Sequence, residues 1–289
     1  MMIKIFFFII SLVPRSFFIL LVDIYIYSRI YKLFASYKIT KVNIKIAYPD
    51  LNNSNIELKS KLSIRESLIS GYETIYSWAR HSNDSNSFIF RIENNFLLKN
   101  YVNQKNGLIS VAIHNRSVDM LLAWICSQTP TVSLYKKIKN NRLDMFVKSK
   151  RESNGSICVE TSISGVRKIY KALKENKVIC FAADQVPQKG MGEYIKFYNR
   201  EAYSTTLVQS LALKTKCPLM FFYINSNKDN YLTITIESIG EEIYSDSKHS
   251  QIINNGIENI INKRPIDYSW EYKRFKKSKP GQQSPYSGI

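Results

Sequence analysis

The sequence predicts an α/β fold, a mostly parallel sheet flanked by helices, with an apolar membrane-anchoring helix at the N-terminus. From Leu108 onward, short apolar runs alternate with segments of helical periodicity. Strands that alternate with helices favour a parallel sheet covered on both faces. Before them, residues 3–35 are dominated by Ile, Phe, Leu, Val and Tyr, a composition typical of segments that contact lipid.

Residues 1–40 are expected to form the membrane anchor and residues 41–289 a single domain. Pro14, Arg15 and Asp23 interrupt the apolar run, whereas a spanning helix needs about 20 apolar residues. A spanning helix, an interfacial helix and a buried core helix therefore all remain open. Lys and Arg residues follow the segment, and the positive-inside rule then predicts that the rest of the chain lies in the cytoplasm.

The charge of the chain indicates a polyanionic partner. There are 41 Lys and Arg against 23 Asp and Glu, a formal net charge of +18. Such a surface attracts nucleic acid or an anionic membrane. The apolar N-terminus favours the membrane, so we expect no nucleic-acid partner. The four cysteines are scattered, so the sequence predicts no metal site, no disulfide framework and no cofactor.

The predicted elements follow in order along the chain. Residues 41–106 are expected to be mainly helical and connective, with a helix over 63–80, where apolar residues recur at helical spacing. The predicted strands are 108–113, 131–135, 156–159, 178–182, 218–224 and 231–236. The predicted helices are one through Leu121, Leu122 and Trp124, then 142–150, 166–174, 203–214 and 251–261. Ligands of such sheets bind beyond the carboxyl ends of strands, where His114 and Asp184 both lie.

A histidine leaves the first of these strands, and a carboxylate follows five positions later, at Asp119. If Ser117 begins the next helix, the chain turns back near the strand end and Asp119 can approach the imidazole of His114. A carboxylate on one ring nitrogen fixes the tautomer and leaves the other nitrogen to take a proton from a hydroxyl. The spacing thus predicts a general base with its orienting group, or else a structural histidine paired with a helix N-terminal carboxylate.

This segment resembles the hallmark of the lysophospholipid acyltransferase superfamily, His-x-x-x-x-Asp or Glu after a strand. Other stretches are similar, in order, to the bacterial lipid A biosynthesis acyltransferases, the lauroyl and myristoyl transferases. The most specific are Asp184-Gln185 at a strand end and residues 265–276, PIDYSWEYKRFK. The others are 43–49, a series from Tyr135 to Arg151, and 197–206. The resemblance covers most of the chain and implies a glycerol-3-phosphate acyltransferase-like fold for an acyltransferase domain at 41–289.

The resemblance also implies an O-acyltransferase at the cytoplasmic face of the bacterial inner membrane. Acyl carrier protein would donate the acyl chain as a thioester, and a phosphorylated glycolipid, a lipid A precursor, would accept it on a hydroxyl. His114 is then expected to be the general base, oriented by Asp119, and Arg116 is one candidate to stabilise the oxyanion. The residues expected to bind substrate are Arg116, Lys136, Lys139, Arg151, Asp184 and Gln185.

Four residues depart from the family pattern: Lys136 replaces an Arg, Lys137 a Pro, Asn199 a Gly and Tyr272 a His. These departures affect the expected acceptor and acyl length more than the reaction. Two alternatives stay open. One is transfer to a lysophospholipid or another membrane lipid, and the other is a non-catalytic basic membrane-binding protein in which His114 is dispensable. The basic and aromatic residues at 270–277 are expected to form a membrane-interface belt or a surface for acyl carrier protein.

Overall fold

A computed structural model describes residues 2–80, 86–103, 107–245 and 249–289. Within them lies a seven-stranded sheet in the order β1-β9-β8-β2-β5-β3-β4, beside a separate β6-β7 hairpin. The strands are β1 Ile89–Glu93, β2 Leu108–Ala112, β3 Thr131–Tyr135, β4 Ile157–Glu160, β5 Val178–Ala182, β6 Gly192–Phe197, β7 Arg200–Thr205, β8 Leu219–Ser226 and β9 Leu232–Ser238. From β8 to β4 all neighbours are parallel, whereas β9 pairs antiparallel with β8. The predicted mostly parallel α/β sheet is confirmed.

Helices cover both faces of this sheet. The helices are α1 Met2–Ser11, α2 Arg15–Tyr27, α3 Ala35–Ala47, α4 Asn53–Ala79, α5 Asn95–Asn103, α6 Val118–Gln128, α7 Asn141–Arg151, α8 Ile163–Lys174, α9 Leu207–Thr215 and α10 His249–Lys263. Strand β2 is buried along its whole length. Its alternate residues enter two cores, one shared with α5 and α6 and the other with α3, α8, α9 and α10, as expected for a central parallel strand.

Several helices begin where the sequence offers a side-chain cap. Asn140 accepts hydrogen bonds from the N–H groups of Arg142 and Leu143 at the start of α7. Ser162 accepts one from Gly165 at the start of α8. These side chains satisfy N–H groups that a helix start leaves without a partner. The helices predicted over 142–150 and 251–261 lie within two residues of the observed bounds, whereas the helix predicted over 63–80 begins ten residues earlier, at Asn53.

The N-terminal apolar segment forms two helices rather than one. Helices α1 and α2 are bent by 92° at the break between them. Pro14 precedes α2, where its fixed φ and missing N–H suit a helix start. Among the described residues no single helix is long and apolar enough to cross a bilayer. The two helices of the bent pair, taken together, have the length and the apolar composition of a span. The expectation of one anchoring helix is corrected to a bent pair.

Two other expectations need correction. The helix predicted over 203–214 starts later, because residues 203–205 belong to β7, where Tyr203 lies opposite Tyr194 of β6. Aromatic and β-branched residues suit such a paired strand. Strand β1 falls in a region expected to be helical and connective, and it forms because β9 provides a parallel edge for it.

Candidate active site

The imidazole of His114 lies just beyond the carboxyl end of β2 and contacts a buried carboxylate. Strands β2 and β5 are in parallel register, with Ala112 opposite Ala182. Residues two positions further along each strand therefore come together. The Nδ1 of His114 is 2.8 Å from Oδ1 of Asp184, and the backbone N–H of His114 donates to Oδ2 at 2.9 Å. One carboxylate thus holds both the ring and the backbone of the histidine.

The charges of this pair support each other. Burial by itself would lower the pKa of His114, but the charge and hydrogen bond of Asp184 outweigh it and raise the pKa above its ordinary value. Burial by itself would raise the pKa of Asp184, but the histidine lowers it. Asp184 therefore stays ionised and orients the ring through Nδ1. The other nitrogen, Nε2, is then free to face a ligand, and the His114 side chain is 29% exposed.

The carboxylate predicted to orient the ring is a different one. Asp119 lies in the first turn of α6 and forms a two-point ion pair with Arg151 at the end of α7, with Nε–Oδ1 at 2.6 Å and Nη2–Oδ2 at 3.0 Å. Among the described residues Asp119 makes no hydrogen bond to His114. Its charge still contributes to the raised pKa of the histidine. The expected His114–Asp119 contact is corrected to His114–Asp184, because neighbouring strands bring Asp184 closer than the turn brings Asp119.

Arg116 also lies in a different environment from the substrate or oxyanion site that was expected for it. Its φ is +51° and its side chain is completely buried. The guanidinium donates to Glu73 of α4 at 3.0 Å through both Nε and Nη2, and it pairs with Glu66 and Asp267 as well. Because the described partners of its side chain are carboxylates of the protein interior, Arg116 holds the loop after His114 against α4. The expectation that it binds substrate or an oxyanion is corrected.

The C-terminal signature supports the same loop from the other side. The backbone N–H of Arg116 donates to the carbonyl of Asp267 at 2.8 Å, and that of Ser269 donates to the carbonyl of His114 at 3.0 Å. Tyr272, where the family usually has His, accepts a hydrogen bond from the N–H of Val186, two residues after Asp184. This explains why the segment 265–276 accompanies the catalytic motif in the sequence.

The basic and aromatic residues of that segment divide between the interior and the surface of the domain. Trp270, Arg274 and Phe275 are each at most 2% exposed. Arg274 donates to the carbonyl of Tyr203 at 2.9 Å and lies over the ring of Phe197 at 4.9 Å. The expectation of an interface at 270–277 is therefore corrected for these three side chains, which pack inside the domain. The lysines of the segment remain at the surface, with Lys276 exposed and Lys273 and Lys277 half-buried.

A cavity of about 430 Å³ lies at the carboxyl ends of β2, β3 and β5. Of the predicted site residues, those in its lining are His114, Asp119, Lys136, Arg151 and Gln185. Asp184 lies behind the histidine, and Lys139 is exposed and outside the lining. Apolar side chains complete the wall, among them Trp78, Leu121 and Leu122. The cavity thus combines one histidine, a cationic rim and an apolar interior, as a site for a lipid would require.

Residues that the sequence reasoning missed are Glu66, Glu73 and Trp78 of α4. Glu66 and Glu73 are seven positions apart and share the buried face of that helix. Their spacing places them on the same helix face as Ile69 and Tyr72, which are also buried. Acidic residues on a buried helix face could have indicated a buried arginine partner.

Comparisons with known proteins agree with this geometry. The sequence model of a family described as bacterial lipid A biosynthesis acyltransferase matches residues 1–277. The chain is 22% identical over 253 residues to a lipid A biosynthesis acyltransferase of Haemophilus influenzae. That alignment covers 86% of this chain and 79% of the Haemophilus protein. It is 23% identical over 256 residues to the lipid A biosynthesis palmitoleoyltransferase of Escherichia coli K12, and the alignment covers 86% of this chain and 81% of that protein. A lipid A biosynthesis acyltransferase of Shigella flexneri gives the same values.

The family match extends over the N-terminal helices, the catalytic loop and the C-terminal signature. It confirms the resemblance drawn from the motifs, and it implies a lipid A acceptor and association with a membrane. The chain therefore belongs to the bacterial lipid A biosynthesis acyltransferase family and is an acyltransferase of lipid A.

Proposed function

We propose that the protein transfers a fatty acyl chain from acyl carrier protein to a hydroxyl of a lipid A precursor, with His114 as the general base. The observation that carries this proposal is the buried Asp184 carboxylate on Nδ1, which leaves Nε2 for a substrate in the cavity. A base held in one tautomer by a charged partner accelerates removal of a hydroxyl proton.

In the proposed reaction the acceptor hydroxyl gives its proton to Nε2 of His114, and its oxygen attacks the thioester carbonyl. The tetrahedral intermediate breaks its carbon–sulfur bond, and the imidazolium returns the proton to the leaving thiolate. The products are an ester and a free thiol. The N-terminus of α6 supports the oxyanion in this proposal, because Val118 and Asp119 line the cavity and helix N-termini stabilise negative charge.

Two observations favour direct attack by the substrate hydroxyl over an acyl-enzyme. Cys180 is the thiol in the cavity lining, and burial raises its pKa to about 12, so that it is protonated and a poor nucleophile. The hydroxyl of Ser133, also in the lining, lies 3.3 Å from Thr131 Oγ1 rather than against the imidazole. The substrate hydroxyl is therefore the group that His114 activates.

The proposed roles of the other residues follow from their contacts. Asp119 holds the guanidinium of Arg151 in the cavity wall, while Lys136 and Gln185 offer further donors to acceptor phosphates. We also propose that residues 1 to about 40 anchor the enzyme at the cytoplasmic face of the inner membrane. The exposed apolar side chains of α1 and α2 support this, among them Phe6, Ile9 and Ile24.

The test is acyl transfer by the purified protein in detergent. Acyl carrier proteins loaded with chains of different length are supplied, with a lipid A precursor or a lysophospholipid as acceptor. We expect product on the lipid A precursor from the native protein and none from His114→Ala, with both proteins equally folded by circular dichroism. Product on the lysophospholipid alone would change the acceptor and keep the mechanism. A fully active His114→Ala protein would reject the mechanism.

A further inference from the structure

One end of the cavity is closed by side chains that pack directly on the N-terminal helix α1. Trp78 and Ile138 both line the cavity. Both also belong to an apolar cluster with Ile3 and Phe7 of α1 and with Phe146 of α7. The ring of Phe7 lies 5.8 Å from that of Trp78 and 5.5 Å from that of Phe146. Helix α1 is therefore the outer layer of this end of the cavity.

The opposite face of α1 is apolar and exposed. Ile5, Phe6, Phe8, Ile9 and Leu12 are each at least 47% exposed. A run of large apolar side chains on one helix face indicates contact with lipid rather than water. Since Phe7 touches Trp78 while its neighbours face outward, one helix thickness separates the cavity from the surface that would meet the bilayer.

The charges beside this contact suit a lipid with an anionic head group. Lys4 is exposed on α1, and Nζ of Lys150 on α7 lies 5.8 Å from the centre of the Phe146 ring, which belongs to the same cluster. The charge of Lys4 reaches Lys150, since burial and this charge together lower the pKa of Lys150. Neither lysine forms an ion pair with an acidic residue within the described parts of the chain. Two neighbouring cations at the edge of an apolar surface attract a phosphate of the membrane interface.

A donor without a partner is present at the same end of the cavity. The indole Nε1 of Trp78 is buried and makes no hydrogen bond in the part of the chain that the structure describes. Leaving a buried donor unpaired is costly, and few remain so without a reason. A ligand oxygen that enters beside Trp78 would provide the missing acceptor.

We propose that Trp78 and α1 form a lipid passage, through which the chains of an anionic lipid substrate move between the bilayer and the cavity, and that the Trp78 N–H binds an oxygen of that lipid. This inference rests on the proposed function for the identity of the lipid as a substrate. It assigns α1 a part in substrate access as well as in anchoring.

The position of Trp78 can be measured without any turnover. The full-length protein is bound to phosphatidylethanolamine–phosphatidylglycerol vesicles whose acyl chains carry bromine, which quenches tryptophan fluorescence at short range. The protein has three tryptophans, and Trp124 and Trp270 are only 2% exposed. We expect strong quenching of the native protein, loss of most of it in Trp78→Phe, and no such loss in the control Trp124→Phe. Quenching that is unchanged in Trp78→Phe would overturn the proposed passage.

The hydrogen bond is tested on the same variants by acyl transfer. Trp78→Phe keeps an aromatic ring against Phe7 and removes only the N–H. We expect the KM for the lipid acceptor to rise about five-fold with little change in kcat, the effect of one lost hydrogen bond, whereas Trp124→Phe leaves the KM unchanged. An unchanged KM in Trp78→Phe would reject the role of the N–H. If Trp78→Phe does not fold, Trp78→Leu, which also lacks a side-chain donor, replaces it.

The two proposals can fail separately. Quenching of Trp78 in a protein that transfers no acyl chain to any acceptor would contradict the proposed function and keep the lipid contact. An active enzyme whose Trp78 is not quenched would keep the function and contradict the passage.

Discussion

At the scale of single residues, His114 depends on two carboxylates in different ways. Asp184 contacts the ring and the backbone of the histidine. Asp119 acts on it only through space, because its oxygens are occupied by Arg151. The carboxylate five positions along the chain therefore supports the cavity wall, and the carboxylate after the neighbouring strand supports the imidazole of His114.

This difference predicts distinct pH profiles for the two variants. The base must be neutral, so the rate rises as the pH increases through the pKa of His114, which lies above its ordinary value of about 6.5. Asp184→Asn removes the largest favourable charge, so we expect its kcat/KM profile to move to lower pH, with a plateau reduced about 100-fold or more. Asp119→Asn should move the midpoint less. The measurement is kcat/KM against pH for the three proteins.

The same pKa affects stability in a direction that checks the assignment. Because the folded pKa of His114 is raised, its pairing with Asp184 stabilises the protein fully below the unfolded pKa of about 6.5. That contribution is lost as the pH rises through the folded value. Asp184→Asn should abolish this part of the pH dependence of the unfolding midpoint. A larger shift of the activity profile in Asp119→Asn than in Asp184→Asn would contradict the geometry.

Two of the three lysines in the β3–α7 connection offer a matched pair. Lys136 and Lys139 are both exposed, and only Lys136 lines the cavity. We expect Lys136→Ala to raise the KM for a phosphorylated acceptor about ten-fold, because a charge-assisted hydrogen bond is lost. Lys139→Ala is the control and should behave like the native protein. Initial rates at varied acceptor concentration provide the measurement, and equal effects of the two substitutions would argue against a phosphate contact at Lys136.

At the scale of elements, helix α4 joins the N-terminal helices to the catalytic loop. Its Glu73 is completely buried and accepts hydrogen bonds from Arg15 at the start of α2, and from Arg116 and Ser117 in the loop after His114. Burial by itself would raise the pKa of Glu73, but these partners lower it. One charged carboxylate thus ties the start of α2 to the loop after His114.

Glu73→Gln should therefore destabilise the protein strongly. The substitution keeps the size of the side chain and leaves Arg15 and Arg116 short of a charged partner in a buried site. We expect the free energy of unfolding to fall by about 3 kcal/mol, the lower end of the range for breaking a buried pair, since Glu66 still contacts Arg116. Denaturant unfolding followed by circular dichroism provides the measurement. Glu57→Gln, at the exposed Lys41 pair, is the control and should change little.

The elements also show what the sequence could predict. Strands β3 and β5 have the predicted bounds, because buried parallel strands are apolar runs with clear ends. The hairpin of β6 and β7 was not predicted, since its pairing joins residues that no periodicity connects. The partner of His114 was missed for a related reason. Spacing along the chain indicates Asp119 as the partner. The observed partner is Asp184, because β2 and β5 are neighbours in the sheet. A single sequence does not contain that strand order.

At the scale of the whole molecule, the charge and the N-terminal helices contribute to membrane binding in separable ways. The +18 charge attracts anionic lipid over a distance that salt shortens. In the proposed anchoring, the exposed apolar face of α1 would bury area in the interface, and salt would not weaken that contribution. A purely basic binding protein would lose its attachment as salt is added, so the salt dependence distinguishes the two modes.

We therefore expect the native protein to remain on vesicles of phosphatidylglycerol at high salt and to lose only part of its affinity relative to low salt. Ile9→Asp puts a charge on the apolar face of α1, where Ile9 is 57% exposed, and it should release the protein at high salt while binding at low salt persists. Ile163→Asp is the matched control, because Ile163 is 71% exposed at the start of α8 and an acidic residue is favourable there. Vesicle co-flotation measures the bound fraction. Equal salt dependence of the native and Ile9→Asp proteins would mean that charge alone attaches the chain, whereas selective loss in Ile9→Asp would establish α1 as the apolar contact with the bilayer.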